Sequence, residues 1–237
     1  MVSFSFCLCF DVLARGCIIK LIMSKLSTRK PIFHSDFDGT AVEVLPWTNP
    51  RNWSKYPLKG VPGYLDFILG VEDSGVEVGS IVSRRPDIAP RRWATDASLR
   101  DVASRQFERP GQVLLMGSEE KKAGRIASEA HKRVVGFIDD KPHKAGIEIA
   151  RSLDKFDVMP RRVVMGAVQH AKSWNNMEQL RTFAGNDGFE IQELTISGGF
   201  SITNGNFVLE AIQLPGYSRD AGQTFGSRLN MLDQQGI

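Results

Sequence analysis

Two carboxylates stand two positions apart in the segment Asp36-Phe37-Asp38-Gly39-Thr40. They follow a short apolar run at 31–33, which is typical of a buried strand. Because residues i and i+2 of a strand face the same side and a glycine permits a sharp bend, both carboxylates can converge on one site. Such a pair suits metal-assisted phosphoryl transfer, in which one carboxylate attacks phosphorus and the other handles a proton. Asp and Gly are also ordinary turn residues, so the motif needs support from elsewhere in the chain.

Three later segments offer that support. Ser83 follows a predicted strand at 76–82, and Lys121 and Lys122 lie in the first turns of a helix that Ser118 is predicted to cap. An apolar run at 134–138 then ends in Asp139-Asp140, as a central parallel strand does when it opens into a site. A serine at a strand end is usually a turn or cap residue, and a lysine after two glutamates is usually solvated. Their order and spacing after the first motif give them weight.

In this order the four segments resemble the motifs of the haloacid dehalogenase (HAD) superfamily of phosphohydrolases, whose first motif is DxDGT. The resemblance covers residues 30–170. It implies that Asp36 is the nucleophile and Asp38 the general acid and base. It also implies one Mg²⁺ ion as cofactor, and it leaves the choice between the two lysines open. The implied metal site comprises Asp36, Asp38, Asp139 and Asp140, and the implied groups for the substrate phosphate are Thr40, Ser83, Arg84 and either Lys121 or Lys122.

The spacing of the motifs leaves no room for a separate cap domain. A loop at 41–59, predicted to be a flap, and a helix at 61–69 fill the first gap, and a helix at 96–107 and a strand at 112–116 fill the second. The resemblance is therefore to capless members, which often act on large substrates. An arginine-rich stretch at 84–109 could bind further phosphates, although a solvated helix face is the commoner explanation. A polynucleotide-end phosphatase and a non-catalytic binding protein on the same fold remain alternatives to a phosphomonoesterase.

The elements that must position these residues predict a three-layer α/β fold with a mainly parallel five-stranded sheet. The family strand order puts the first strand between the second and the fourth. A C-terminal extension at 171–237 is predicted to pack on the catalytic domain at 29–170, with an Asn-Gly hairpin at 203–206 and a mobile end from Pro215. This extension could be a continuation of the sheet, a dimer contact or a platform beside the substrate. The predicted strands of the catalytic domain span 31–36, 76–82, 112–116, 134–139 and 162–168.

Composition agrees with a soluble enzyme. The 237 residues are 42% hydrophobic and 24% charged, and the net charge of +3 permits an anionic substrate without implying nucleic acid. All three cysteines lie in the first segment, so we expect no disulfide in the body of the protein and a reducing, cytoplasmic compartment. The four histidines lack metal-ligand spacing and are predicted to be non-catalytic, with His143 near the rim of the site.

The first 28 residues are predicted to be an arm outside the catalytic domain. Residues 1–22 are apolar but interrupted by Asp11, Arg15 and Lys20, which argues against a membrane span. A secretory signal would place its positive charge before the apolar stretch. We therefore expect either an over-extended start or a disordered segment.

Overall fold

The structure is a computed structural model, and it describes residues 29–41, 43, 60–83, 113–115, 118–156, 162–168, 177–194 and 199–235. The side chains of 81–83 and 113–115 are outside this description. The predictions for residues 1–28, for most of the flap at 41–59 and for the arginine-rich stretch at 84–109 therefore fall outside the described residues.

One mixed sheet forms the centre of the described structure. Its strands are β1 (Ile32–Asp36), β2 (Glu77–Ser83), β3 (Val113–Leu115), β4 (Val135–Ile138), β5 (Arg162–Val168), β6 (Glu190–Leu194), β7 (Gly199–Thr203) and β8 (Val208–Leu214). They lie in the order β3-β2-β1-β4-β5-β8-β7-β6. Neighbours from β3 to β8 are parallel, whereas β7 is antiparallel to both β8 and β6.

The α/β class, the mainly parallel sheet and the position of β1 between β2 and β4 are confirmed. The five predicted strands are present, and three strands of the C-terminal segment extend the described sheet to eight. The C-terminal segment continues the same sheet: β8 pairs in parallel with β5 along its whole length, from Arg162 opposite Val208 to Val168 opposite Leu214. Local sequence predicts the hairpin between β7 and β8, where Gly205 has a φ of 86°, but it cannot show which strand β8 will join.

Helices cover both faces of the sheet and make three layers. They are α1 (Tyr64–Asp73), α2 (Glu119–Ala130), α3 (Pro142–Asp154), α4 (Met177–Asn186) and α5 (Arg219–Gln234). Successive residues of β1 separate the two cores, because Ile32 packs in the apolar cluster with α2, α3 and α4, whereas Phe33 packs with α1 and α5. None of the helices in the described ranges is long and apolar enough to cross a bilayer.

Where the sequence predicts a mobile end from Pro215, the structure has the helix α5. Ser218 caps it by accepting a hydrogen bond from the Ala221 amide at 3.2 Å. Its glycines, which indicate flexibility in a local interpretation, instead allow two helix backbones to touch. A Cβ at Gly222 would lie 2.0 Å from the Phe67 carbonyl oxygen of α1, and one at Gly70 of α1 would lie 2.0 Å from the Arg219 carbonyl oxygen. The prediction missed a helix that contacts residues far away in the sequence, as the ion pair between Arg219 and Asp73, 146 positions apart, shows.

Candidate functional site

The candidate site lies at the edge of the sheet where the parallel strands end. The chain leaves β1 for β2 on one side and returns to β4 on the other, so the strand order reverses between β1 and β4. In open α/β sheets such a reversal opens a crevice at the carboxyl ends of the strands. Asp36 is the last residue of β1, and Asp139 directly follows β4. The fold therefore brings the first and fourth motifs together.

Asp36 is held by the turn that follows it. Gly39 has a φ of 87°, a conformation that suits glycine, and the Ala41 amide donates to the Phe37 carbonyl oxygen at 3.0 Å. Thr40 is fully buried, and its hydroxyl donates a long hydrogen bond of 3.4 Å to Oδ2 of Asp36. In the structure, Thr40 thus contacts the proposed nucleophile. Asp38 is half-buried in the same turn.

The two candidate lysines differ in burial, and Lys122 is the buried one. The Lys122 side chain is 4% exposed, and its Nζ lies 3.0 Å from Oδ1 of Asp36 and 2.8 Å from Oδ2 of Asp139. A third carboxylate, that of Glu119 one turn earlier, lies 3.2 Å from the same Nζ. Lys121 is exposed. The side chain of Lys122 is therefore the one that the structure brings to the two motif acids.

Asp139 is fixed by backbone as well as by Lys122. Its amide donates to the Gly166 carbonyl oxygen of β5 at 3.1 Å, and its Oδ1 accepts from the Lys141 amide at 2.7 Å. Asp140 is half-buried and lies 3.4 Å from the Lys141 ammonium. One carboxylate oxygen from each of Asp36, Asp139 and Asp140 lies within 4.8 Å of the others. The three acids form a cluster that could bind a metal ion.

Burial and, after it, neighbouring negative charge determine the electrostatics of this cluster. Burial raises the pKa of Asp36 well above its ordinary value and the Asp139 charge adds to the effect, while the Lys122 ammonium opposes both. Burial and Asp139 likewise raise the pKa of Asp140. Burial alone would lower the pKa of Lys122, but Asp139, Asp36 and Glu119 outweigh it and raise that pKa. Lys122 is therefore always an ammonium, and it does not neutralise all of the carboxylates around it.

The donor set fits a hard divalent cation. Such ions bind carboxylate oxygens, and they favour sites where several acids are only partly neutralised. Oδ2 of Asp36 accepts only the long Thr40 hydrogen bond among those described, so it has capacity for a further partner. The geometry agrees with the metal ligands implied for Asp36, Asp139 and Asp140.

Two of the predicted phosphate-binding residues, Ser83 and Arg84, lie where the described range 60–83 ends. Ser83 ends β2, and its neighbour Val82 pairs with Asp36 in the sheet, so the Ser83 backbone reaches the same edge. Its side chain, and all of Arg84, fall outside the described residues.

Sequence reasoning missed Glu119 and Tyr217 beside the cluster, whereas it had predicted that a third neighbour, His143, lies near the rim of the site. Glu119 pairs with Lys122, and its i,i+3 spacing from that lysine was a usable signal. Nδ1 of His143, at the start of α3, is buried and has no hydrogen-bond partner among the described residues. Burial lowers the His143 pKa, against the charge of Asp139. Tyr217, whose pKa is raised by burial, by Tyr64 and then by the three acids, comes from the C-terminal segment and had no local signal.

In comparisons with known proteins, no family model, curated protein or solved structure matches the chain.

Proposed function

We propose that this protein is a Mg²⁺-dependent phosphatase that hydrolyses a phosphomonoester through an aspartyl-phosphate on Asp36. The observation that carries the proposal is the buried Lys122 ammonium between Asp36 and Asp139, 3.0 Å and 2.8 Å from their oxygens, within a cluster of three carboxylates. A buried carboxylate beside one fixed cation, with further acids that could hold a metal ion, suits nucleophilic attack on a phosphomonoester. The motif resemblance to HAD phosphohydrolases supports the same chemistry.

Two steps divide the reaction between Asp36 and Asp38. In the first, an Asp36 oxygen forms a bond to phosphorus, the bond to the leaving oxygen breaks, and Asp38 gives that oxygen its proton. In the second, water forms the new bond to phosphorus, Asp38 takes the water proton, and the bond from Asp36 to phosphorus breaks. Lys122 holds the Asp36 carboxylate in place and faces the negative charge of the transferred group.

The metal would be held by Asp36, Asp139, Asp140 and the backbone at Asp38. A bound Mg²⁺ supplies positive charge to the phosphoryl oxygens. It would also offset the carboxylate crowding that raises the pKa of Asp36, which keeps the nucleophile ionised.

The decisive experiment is hydrolysis of a generic aryl phosphate with and without Mg²⁺. We expect Mg²⁺-dependent turnover in the wild type and its abolition in Asp36→Asn, because an amide cannot attack. Glu190→Gln, which changes an exposed carboxyl on β6, is the matched control and should retain activity. A wild type without turnover on any phosphomonoester would remove the proposal and favour a non-catalytic binding protein. Near-normal rates in Asp36→Asn would show that a group other than Asp36 attacks phosphorus.

The role of Asp38 has its own test. Asp38→Ala should slow the hydrolysis of alkyl phosphates, which need a proton on the leaving oxygen, far more than that of activated aryl phosphates. Equal losses on both substrate types would assign the proton to another group.

A further inference from the structure

The C-terminal segment delivers a tyrosine to the edge of the sheet that carries the acids. Strand β8 runs parallel to β5, with Ile212 opposite Gly166. The Gly166 carbonyl oxygen accepts the Asp139 amide at 3.1 Å. The segment between β8 and α5, which contains Tyr217, therefore begins at the same edge as Asp139.

The Tyr217 ring packs against two aromatic rings of α1. It makes an edge contact with Tyr64 at 5.9 Å between ring centroids and another with Phe67 at 5.5 Å. Its backbone is locked as well, because Gly63, at a φ of 76°, approaches so closely that a Cβ there would lie 2.2 Å from the Tyr217 carbonyl oxygen. The first turn of α1 thus fixes Tyr217 on one side.

The same turn of α1 is tied to the loop that carries the first motif. The Val61 amide donates to the Ala41 carbonyl oxygen at 3.0 Å, and the Ala41 amide in turn donates to Phe37 at 3.0 Å. A continuous set of contacts therefore runs from the motif loop through the start of α1 to Tyr217. Motion of Tyr217 relative to Asp36 would require these contacts to break.

The phenol lies within the field of the acids. Burial raises the Tyr217 pKa, and Tyr64, Asp139, Asp140 and Asp36 raise it further, so the hydroxyl keeps its proton throughout the usual pH range. A neutral phenol beside an anionic cluster can act as a donor to a bound oxyanion.

We propose that Tyr217 is a substrate-binding residue, whose hydroxyl donates a hydrogen bond to a phosphoryl oxygen held at the cluster of Asp36, Asp139 and Asp140. This assignment rests on the proposed function, and it makes the C-terminal segment part of the site. The ligand class is a tetrahedral oxyanion, for which inorganic phosphate is the simplest probe. Because the bond exists in the bound ground state as well as during reaction, its loss should appear in KM and in phosphate affinity more than in kcat.

The test uses the full chain with Tyr217→Phe, which removes the hydroxyl and keeps the ring contacts with Tyr64 and Phe67. We expect the dissociation constant for inorganic phosphate in the presence of Mg²⁺, measured by titration calorimetry, to rise about tenfold or more. KM for an aryl phosphate should rise by a similar factor, with kcat changed less. Ser218→Ala is the structural control, because it removes the cap of α5 and leaves the phenol, and it should change phosphate affinity by less than about twofold.

The outcomes separate this inference from the proposed function. Active wild type with an unchanged Tyr217→Phe variant overturns the role of Tyr217 and leaves the phosphatase standing. Inactive wild type that binds phosphate, and binds it less well in Tyr217→Phe, overturns hydrolysis and retains Tyr217. If the wild type does not bind phosphate, the proposal that the Tyr217 hydroxyl donates a hydrogen bond to a bound oxyanion is overturned. Equal weakening by Tyr217→Phe and Ser218→Ala also overturns it, because the effect then comes from a loosened helix.

Discussion

At the scale of single residues, the two lysines in the first turn of α2 have different environments. Lys121 is exposed, whereas Lys122 lies between carboxylates that would otherwise repel one another in a buried site. The cost of removing one partner from such a cluster is large, because the remaining charges stay buried without compensation. The neighbouring lysine therefore provides a matched pair of substitutions.

Lys122→Met should lower the free energy of unfolding at neutral pH by about 3 kcal/mol, because it leaves the buried carboxylates uncompensated. It should also lower kcat/KM for an aryl phosphate at least about 100-fold. Lys121→Met should change stability by less than about 0.5 kcal/mol and leave activity nearly intact. Urea unfolding and steady-state kinetics on both variants provide the measurement. Comparable effects of the two substitutions would contradict the role given to Lys122.

We expect the free energy of unfolding to depend on pH because of His34. Its side chain is buried on β1, and its Nδ1 accepts the Ser80 amide at 3.1 Å. Burial, followed by the charge of Arg125, lowers its pKa from 6.5 to about 4. The unfolded chain therefore binds a proton below pH 6.5 that the folded chain refuses until about pH 4, so stability falls as pH falls through this window.

The contribution of His34 amounts to about 3 kcal/mol between pH 7 and pH 4. The raised pKa values of Asp36 and Asp140 act on stability with the opposite sign. The measurement is therefore a difference: urea unfolding of the wild type and of His34→Asn across this pH range. The variant should lose about 3 kcal/mol less than the wild type. If the free energies of unfolding of the wild type and of His34→Asn change in parallel with pH, the pKa of His34 does not differ between the folded and unfolded states.

At the scale of elements, the contact between α1 and α5 depends on glycine. Gly222→Ala would place a methyl group 2.0 Å from the Phe67 carbonyl oxygen, which is backbone and cannot move aside. We expect a loss of at least about 2 kcal/mol in the free energy of unfolding. Gly124→Ala on α2 has no atom within 4 Å of the new Cβ, and it should stabilise the protein by about 0.5–1 kcal/mol. Thermal and urea unfolding of the two variants should thus move in opposite directions.

The sequence predicted elements better than it predicted their partners. Apolar and β-branched residues followed by a polar strand end predicted the positions of β1, β2, β4 and β5, whereas the place of β1 between β2 and β4 came from the strand order that the motif resemblance implies. Asp36 and Asp139 followed from that order. The choice between Lys121 and Lys122 could not be made, because it depends on how α2 is rotated about its axis when its Ile126 packs in the same core cluster as Phe137. The partners of β8 and α5 could not be predicted either, because they are distant in sequence and leave no local pattern.

At the scale of the whole molecule, the acid cluster links metal binding to stability. Its residues come from β1 and from the end of β4, so an ion bound there stabilises the sheet as a unit. At a hundredfold excess over its dissociation constant, Mg²⁺ should raise the free energy of unfolding by about 2.7 kcal/mol.

Asp139→Asn should lose this response, while Glu190→Gln should keep it. Thermal unfolding with added Mg²⁺ or with a chelator measures both. An equal shift of the melting temperature in wild type and Asp139→Asn would place the metal elsewhere.

The pairing of α1 with α5 also has a consequence for how the protein is made. A ribosome releases α1 long before α5, since Asp73 and its partner Arg219 are 146 positions apart. During that interval the apolar face of α1, including Phe67, lacks Phe225 and Tyr217, its partners in the finished protein. The nascent chain therefore exposes this face until α5 has been synthesised, and the exposed face would be a binding site for chaperones. Helix α5 and Tyr217 then cover this face of α1 together, so chains that stop before Tyr217 would lack both the covered core and the tyrosine that we propose binds the substrate.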